Sequence, residues 1–300
     1  MLSSTAFWGA METGLVYSLV AFAMYLSFRV LEFADLTVEG SFPLGAAVSA
    51  ALILQGWHPW ASIAVAVIAG MFAGAITGFL NVRFKIMHLL ASILVMYGLY
   101  SVNLRIMGRP NLPLLGEDSI LTPFYELPLA LEIVPVMLFA IVLTVVGILL
   151  WWFMNSEIGL AMRATGANPN MARAQGVATG LMVILGISIA NGLAALAGGL
   201  FAQSRGSADV TLGVGVLVVG LASLIGGEAV LSPKTVLRAL LACVIGSIIF
   251  RLVIAFALSG GDIGLQPGDI NLITTVLMLL AIKLGDIRSF TAKCLKRGQS

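Results

Sequence analysis

Long stretches of apolar residues, separated by short polar segments, form the main pattern along the chain. A transmembrane helix needs about 20 apolar residues, because each residue rises about 1.5 Å and the hydrocarbon core is about 30 Å thick. The second and seventh stretches are too short for a regular full span, which predicts broken helices there. The pattern predicts an all-α membrane protein with about nine transmembrane helices, at 5–28, 41–55, 58–81, 86–104, 133–153, 178–202, 210–226, 236–258 and 269–285.

The composition supports a membrane environment. Hydrophobic residues make up 60% of the 300 residues and charged residues only 10%, with a mean hydropathy of +1.06. Soluble domains carry about 25% charged residues, which wet their surface. Residues 1–10 contain no Lys or Arg and so lack the basic region of a cleaved signal peptide, and we expect the first helix to be retained.

The distribution of basic residues predicts the orientation, since Lys and Arg collect in cytoplasmic loops. An N-terminus outside and a C-terminus inside leave only Arg105, Arg109 and Arg205 in outside segments. The outside loop 105–132 is also rich in acidic residues. The inside segments then hold Arg29, Arg83, Lys85, Arg163, Arg173, Lys234, Arg238, Lys283, Arg288, Lys293, Lys296 and Arg297.

The two halves of the chain share a short motif. ADLTV at 34–38 recurs as ADVTL at 208–212, and each copy precedes a short apolar segment that contains glycine. The predicted topology places the first copy inside and the second outside, so the repeat is inverted, with halves at about 5–104 and 178–285. A five-residue match can also arise by chance. Broken helices in corresponding positions nevertheless indicate a transport path, because non-helical backbone at membrane depth must line a cavity or be buried in protein.

The segment between the fifth and sixth spans, about 155–177, predicts two short amphipathic helices that face the cytoplasm. A turn at Gly166, Asn168, Pro169 and Asn170 separates two runs of helix-compatible residues. Short rigid helices of this kind can transmit a rigid-body push from a soluble partner.

The residues of this loop carry a resemblance to a known family. GLAMRATGAN from Gly159, followed by Ala172 and Gly176, resembles the coupling loop of type II ABC importer permeases, the group with branched-chain amino acid and ribose permeases. Leu31 to Ala46 is similar to the second-helix region of a branch linked to tryptophan or tyrosine binding proteins. YSVNLRIMG at 100–108 and the stretch from 220 to 228 are similar to the same branch.

The resemblance implies a division of labour between several proteins. It implies a single permease domain at 1–285 with a cytoplasmic tail at 286–300, working as a homodimer in the plasma membrane of a prokaryote, the inner membrane if the cell is Gram-negative. An ABC ATPase subunit would bind ATP and Mg²⁺, and a periplasmic or lipid-anchored binding protein would deliver a small solute. The resemblance implies an amino acid and, from the branch, an aromatic one. The chain itself would bind no cofactor and no nucleic acid.

Two groups of candidate functional residues follow. Arg163 and Arg173 either contact the ATPase or simply follow the positive-inside bias, and the glycine pattern favours contact. The full set of predicted coupling residues is Gly159, Arg163, Ala164, Gly166, Asn168, Ala172, Arg173 and Gly176. Helix capping and helix–helix bonding are the more usual roles of such polar residues. The candidate residues for the translocation path are Asp35, Thr37, Glu39, Ser41, Asn103, Asn191, Asp209 and Thr211.

The spans also contain charges and closely spaced glycines. Glu12 and Arg251 are costly within a membrane, and we consider an ion pair between them or snorkelling of either one. Gly70, Gly74 and Gly78 repeat every four residues, which indicates close helix packing. Neither histidine has a ligand-like neighbour pattern, so we expect no metal site.

Missing motifs limit the chemistry of the chain. No P-loop, nucleophile elbow or H-E-x-x-H motif occurs, so we expect neither nucleotide hydrolysis nor any catalytic residue here. An ion-coupled secondary transporter is the alternative, since such proteins also have inverted repeats and broken helices. It would want acidic or histidine groups near the midplane, and none is placed convincingly there. A membrane receptor or scaffold explains neither the repeat nor the loop.

Overall fold

The computed structural model describes residues 4–124, 132–259, 275, 276 and 279. Two short strands, β1 (Asn111–Pro113) and β2 (Ser207–Asp209), accompany the helices. The helices are α1 (Ser4–Met24), α2 (Val38–Ile53), α3 (Pro59–Phe84), α4 (His88–Met107), α5 (Val134–Asn155), α6 (Glu157–Ala167), α7 (Pro169–Ala174), α8 (Thr179–Arg205), α9 (Val216–Val230) and α10 (Val236–Ser259).

Most of the predicted spans coincide with helices. Within the described residues, seven segments are long and apolar enough to cross a membrane, and α2 is a shorter apolar helix of 16 residues. The ends of these helices lie within a few residues of the predicted boundaries. The ninth predicted span, 269–285, and the tail, 286–300, lie outside the described residues except for 275, 276 and 279.

The two segments predicted to be broken are interrupted. The chain enters α2 through a non-helical stretch, and Glu32 in this stretch has a positive φ of 52°. The seventh segment begins as a 3-10 helix at Val210–Gly213 and breaks before α9 starts. Gly215 at the break has a φ of 81°, a left-handed conformation that glycine adopts without steric cost.

Helix α8 lies at the centre of the bundle and packs against α1, α2 and α3. A Cβ atom on Gly70 or Gly74 of α3 would collide with α8, at Ala195 and at the carbonyl oxygen of Ile187. A Cβ on Gly78 would lie 2.8 Å from the Cα of Ile184. The predicted role of these three glycines in close helix packing is therefore confirmed.

The two copies of the repeated motif adopt the same local conformation. The backbone N–H of Thr37 donates to Asp35 Oδ1 at 2.9 Å, and that of Thr211 donates to Asp209 Oδ1 at 2.7 Å. Each turn leads into a helical segment, and α3 packs on α8 as α10 packs on α1. The two copies differ in burial: Asp35 is fully buried, whereas Asp209 is partly exposed.

The small β-ribbon departs from the all-α prediction. Gly108 ends α4 and Gly206 ends α8, both in left-handed conformations, and an extended segment follows each glycine. These segments pair antiparallel, with Leu112 opposite Ala208. The motif that contains Asp209 thus serves both as a strand and as a turn. We call this end of the bundle the ribbon end.

Gln203 joins four segments near the ribbon end. Its Nε2 donates to Ser49 Oγ at 2.9 Å, and to the Pro59 carbonyl oxygen and Ser62 Oγ, both at 3.2 Å. Its Oε1 accepts from the backbone N–H of Ile120 at 3.0 Å. One buried amide thereby connects α2, α3 and α8 to the loop that follows β1.

Replacing Gln203 with leucine is expected to lower the free energy of unfolding by about 2–4 kcal/mol, because four hydrogen bonds are lost together and the buried N–H of Ile120 loses its acceptor. The melting temperature of the purified protein in detergent measures this effect. Gln175→Leu is the matched control, since Gln175 is exposed. Equal melting temperatures for the two variants would contradict the structural role of Gln203.

Candidate functional site

Four of the eight predicted path residues form a buried hydrogen-bonded network. Ser41 Oγ donates to Asn191 Oδ1 at 2.7 Å, and Asn191 Nδ2 donates to Asp35 Oδ2 at 2.7 Å. The hydroxyl groups of Thr37 and Thr77 lie 2.8 Å apart. All five side chains are fully buried. The network ties the start of α2 to α3 and α8, so these side chains hold helices together and do not face open space.

Three other predicted path residues line a groove on the side of the bundle. Glu39, Asn103 and Thr211 meet there, between α2, α4 and the segment that precedes α9. The cavity has a volume of about 250 Å³. Its remaining walls come from Gly40, Pro43, Met96, Tyr97, Tyr100, Val210, Gly213 and Val214. We refer to this cavity as the groove.

Asn103 forms the polar inner wall of the groove. Its Nδ2 donates to the carbonyl oxygen of Gly40 at 3.1 Å, which fixes α4 to α2. Its side chain is fully buried, yet Oδ1 has no hydrogen-bond partner. An unsatisfied buried acceptor is rare in native proteins.

Glu39 lies at the start of α2 and faces the start of α9. Its half-buried carboxylate accepts hydrogen bonds from the backbone N–H groups of Gly215 and Leu217. The positive end of the α9 dipole favours a negative charge at this place. Gly213 lies against the carbonyl oxygen of Glu39, and a Cβ there would collide with it. The two interrupted helices are therefore in direct contact beside the groove.

Tyr97 and Tyr100 form the outer wall of the groove, and neither is among the path residues predicted from the sequence. Their side chains are 69% and 54% exposed. Their spacing from Asn103 could have indicated them, because residues 97, 100 and 103 are three positions apart and neighbours at this spacing lie close together on a helix surface. Asp209, the last predicted path residue, is not among the groove residues, and its Oδ1 accepts the hydroxyl of Thr211 at 2.6 Å.

The predicted loop helices are present as α6 and α7. Ser156 Oγ accepts from the N–H of Gly159 at 3.3 Å, and Asn168 Oδ1 accepts from the N–H of Met171 at 3.0 Å. Asn168 therefore ends α6 and caps α7, as Asn does at helix starts. A Cβ on Gly159 would lie 2.6 Å from the Cα of Met154, so α6 starts tightly against the end of α5.

The α6–α7 pair has one buried and one exposed side. Gly159, Gly166 and Ala172 are buried, and Met162 enters the main hydrophobic core. Arg163 is partly buried, and its Nε has no partner. Arg173 donates through Nη2 to Thr179 Oγ1 at 3.2 Å. Exposed positions of the pair include Leu160, Ala164, Asn168, Met171, Arg173 and Gly176.

Gly166 brings α6 against an irregular turn at the end of α1. That turn is a π-helix, Tyr25–Val30, and a Cβ on Gly166 would collide with the carbonyl oxygen of Val30. Arg29 of the same turn forms an ion pair with Glu228 of α9, with 3.1 Å between Nε and Oε1. One irregular turn thus contacts both α6 and α9, and π-helical turns often occur at functional sites.

The structure does not form the ion pair considered between Glu12 and Arg251. Glu12 accepts a hydrogen bond from Ser204 instead, and Arg251 Cζ lies 3.8 Å from the centroid of the Tyr17 ring. A cation over an aromatic face is stabilised without a carboxylate, which explains why the arginine is tolerated. Among the described residues no group of His, Cys, Asp and Glu could hold a metal ion, and Cys243 is a buried free thiol.

Comparisons with known proteins agree with these features. The family model for the permease component of branched-chain amino acid transport systems matches residues 9–282. A tyrosine transport system permease protein of Clostridioides difficile (strain R20291) is 35% identical over 277 residues, covering 92% of this chain and 90% of the relative. An uncharacterized protein of Rickettsia prowazekii (strain Madrid E) is 35% identical over 278 residues, covering 91% and 95%.

A solved structure supports the fold. PsaBC from Streptococcus pneumoniae in complex with Fab matches with a TM-score of 0.50 and 15% identity, covering 92% of this chain and 89% of the other. The spanning helices and the family match agree on a multi-pass membrane protein, and the family is a permease component that is not itself catalytic. The chain belongs to the permease family of branched-chain amino acid transport systems, and is a type II ABC importer permease.

Proposed function

We propose that the chain is the membrane-spanning subunit of an importer for a small solute, an amino acid, with the groove as part of the translocation path. The main observation is a carboxylate, an amide and a hydroxyl together on the side of an apolar bundle. Ionisable groups at membrane depth are costly in contact with lipid and usually face protein or a water-filled cavity. A second copy of the chain would cover the groove and shield these groups.

The relatives support an amino acid as the substrate class. A relative named for tyrosine transport, 35% identical over 92% of this chain, supports an amino acid, and an aromatic one fits the two tyrosines of the groove. The cavity of about 250 Å³ is slightly below the ~300 Å³ from which typical ligand pockets start. A cavity of this volume can hold one small solute molecule at a time.

The partners follow from the family. We expect an ABC ATPase that binds ATP and Mg²⁺ to contact the exposed side of the α6–α7 pair, and a binding protein to deliver the solute at the ribbon end. This permease subunit needs no cofactor of its own. It would lie in the plasma membrane of a prokaryote, the inner membrane of a Gram-negative cell. ATP would then bias the equilibrium between inward-open and outward-open conformations.

The homodimer is tested by cysteine cross-linking. In a Cys294→Ser background, Tyr100→Cys is expected to give a disulfide-linked dimer in membranes, because the groove faces the second copy. Val145→Cys on α5 is the matched control, since Val145 is 52% exposed and Tyr100 54%. Equal cross-linking at both positions, or none at Tyr100→Cys, would contradict a dimer interface at the groove.

Transport is tested in proteoliposomes that contain the permease, its ATPase and its binding protein. Uptake of radiolabelled L-tyrosine is expected to require ATP and to persist when ionophores collapse the ion gradients. Uptake that stops with the gradients while ATP remains would favour an ion-coupled transporter instead.

A further inference from the structure

Two side chains of the groove present acceptors, and one of these acceptors lacks a donor. Asn103 Oδ1 is buried and unpaired, while the Nδ2 of the same amide is bonded to Gly40. The hydrogen bond to Gly40 therefore orients the amide, whose oxygen is buried without a partner on a residue that lines the groove. A buried acceptor without a partner costs free energy, so a donor from a ligand would be favourable there.

The second acceptor is the carboxylate of Glu39. Two backbone N–H groups at the start of α9 donate hydrogen bonds to it. A carboxylate has about four acceptor sites, so two bonds leave capacity for a further donor. Because the bonds from Gly215 and Leu217 fix the carboxylate in place, little ordering would be needed to bind a ligand.

Glu39 gives the groove an acidic group that no basic side chain neutralises within the described lining. The described residues that line the groove include no Lys, Arg or His. An anionic group that entered would meet the charge of Glu39 with no positive partner. Tyr97 and Tyr100 add two aromatic rings, and aromatic faces attract ammonium groups through cation–π interactions.

We propose that the groove is a recognition site for a primary ammonium group, which Asn103 Oδ1 and the Glu39 carboxylate bind beside the rings of Tyr97 and Tyr100. The site assigns an orientation to the passing solute, with its amino group toward α2 and its side chain along α4. This inference rests on the proposed function, since it places the solute in the groove. It adds that the permease itself distinguishes solutes by charge, in addition to any selection by the binding protein.

The test uses three phenols that differ at one end of the molecule. Tyramine carries an ammonium group, tyrosol a neutral hydroxyl, and 3-(4-hydroxyphenyl)propionate a carboxylate. Their binding to the permease–ATPase complex in nanodiscs, without binding protein, is measured at pH 7 by calorimetry. Tyramine is expected to bind about tenfold or more tightly than tyrosol, since a charge-assisted hydrogen bond is at stake, and the propionate most weakly.

Two isosteric variants locate the effect. Glu39→Gln is expected to reduce tyramine binding about tenfold and to change tyrosol binding little, because it removes the charge and keeps the shape. Glu12→Gln is the matched control, an intramembrane carboxylate of α1 that is not a groove residue, and should leave all three affinities unchanged. Melting temperatures confirm that both variants are folded.

Each outcome decides the inference. Equal affinities for the three phenols, a preference for the propionate, or no binding of tyramine would overturn it. Identical effects of the Glu39 and Glu12 variants would also overturn it. If L-tyrosine uptake depends on ATP but the phenols bind without regard to charge, only this inference fails. If ATP-driven uptake and Tyr100→Cys cross-linking are both absent, the proposed function itself fails.

Discussion

Replacing Gly166 with leucine is expected to reduce ATP-driven uptake to less than a tenth while the protein still inserts into the membrane. A side chain at this position would collide with the carbonyl oxygen of Val30, so α6 must shift away from the π-helix at Tyr25–Val30. Overpacking of this kind costs about 1–3 kcal/mol, which a large bundle survives. If α6 is displaced, ATP hydrolysis by the partner would no longer be coupled to movement of the bundle.

The measurement compares uptake and ATPase activity in proteoliposomes. Gly9→Leu is the matched control, since nothing lies within 4 Å of a Cβ at Gly9. Arg163→Glu gives an independent test on the same helix without overpacking, and we expect the same loss of uptake. Normal uptake by the Gly166 and Arg163 variants, with the ATPase still bound, would contradict the coupling role of α6.

Asn191→Leu is expected to have the largest effect on stability, with a loss of about 3 kcal/mol or more in the free energy of unfolding. The change removes the donor to Asp35 Oδ2 and the acceptor for Ser41 while both partners remain fully buried. Leaving buried polar groups without a hydrogen-bond partner is strongly destabilising. We expect a large fall in melting temperature and in the yield of monodisperse protein.

Ser188→Ala is the matched control for Asn191. Ser188 lies on the same helix, and its hydroxyl donates at 2.7 Å to Ile184 of its own turn, so its loss leaves no other side chain unpaired. A variant Asn191→Leu that melts near the temperature of Ser188→Ala would show that the network contributes little.

The sequence was sufficient to predict the spans and the α6–α7 pair, because both depend on local properties. The length of an apolar run such as 178–202 directly gives the length of the span. Asn168 followed by Pro169 favours a turn and a helix cap in almost any context. The interrupted segments followed from the same reasoning, since their apolar runs are short.

The distribution of polar residues between the core and the groove could not be read from the sequence. Asp35 and Asp209 share a motif and a turn, yet only Asp35 is fully buried, because α3 and α8 cover it. Glu39 follows Asp35 by four residues and reaches the groove. Gln203 joins four segments, and nothing in its neighbours along the chain indicates this. Long-range packing decides each of these cases.

The β-ribbon has a mechanical consequence for the groove. It ties the chain after α4 to the chain after α8, so the ribbon end of α4 is held beside the centre of the bundle. Any tilt of α4 must then pivot at the ribbon. Over the ~30 Å of a 20-residue helix, a tilt of about ten degrees displaces the far end by about 5 Å and the pivot hardly at all. Helix α4 would therefore rotate about the ribbon, and its displacement would be largest at the end of the bundle where α6 and α7 lie.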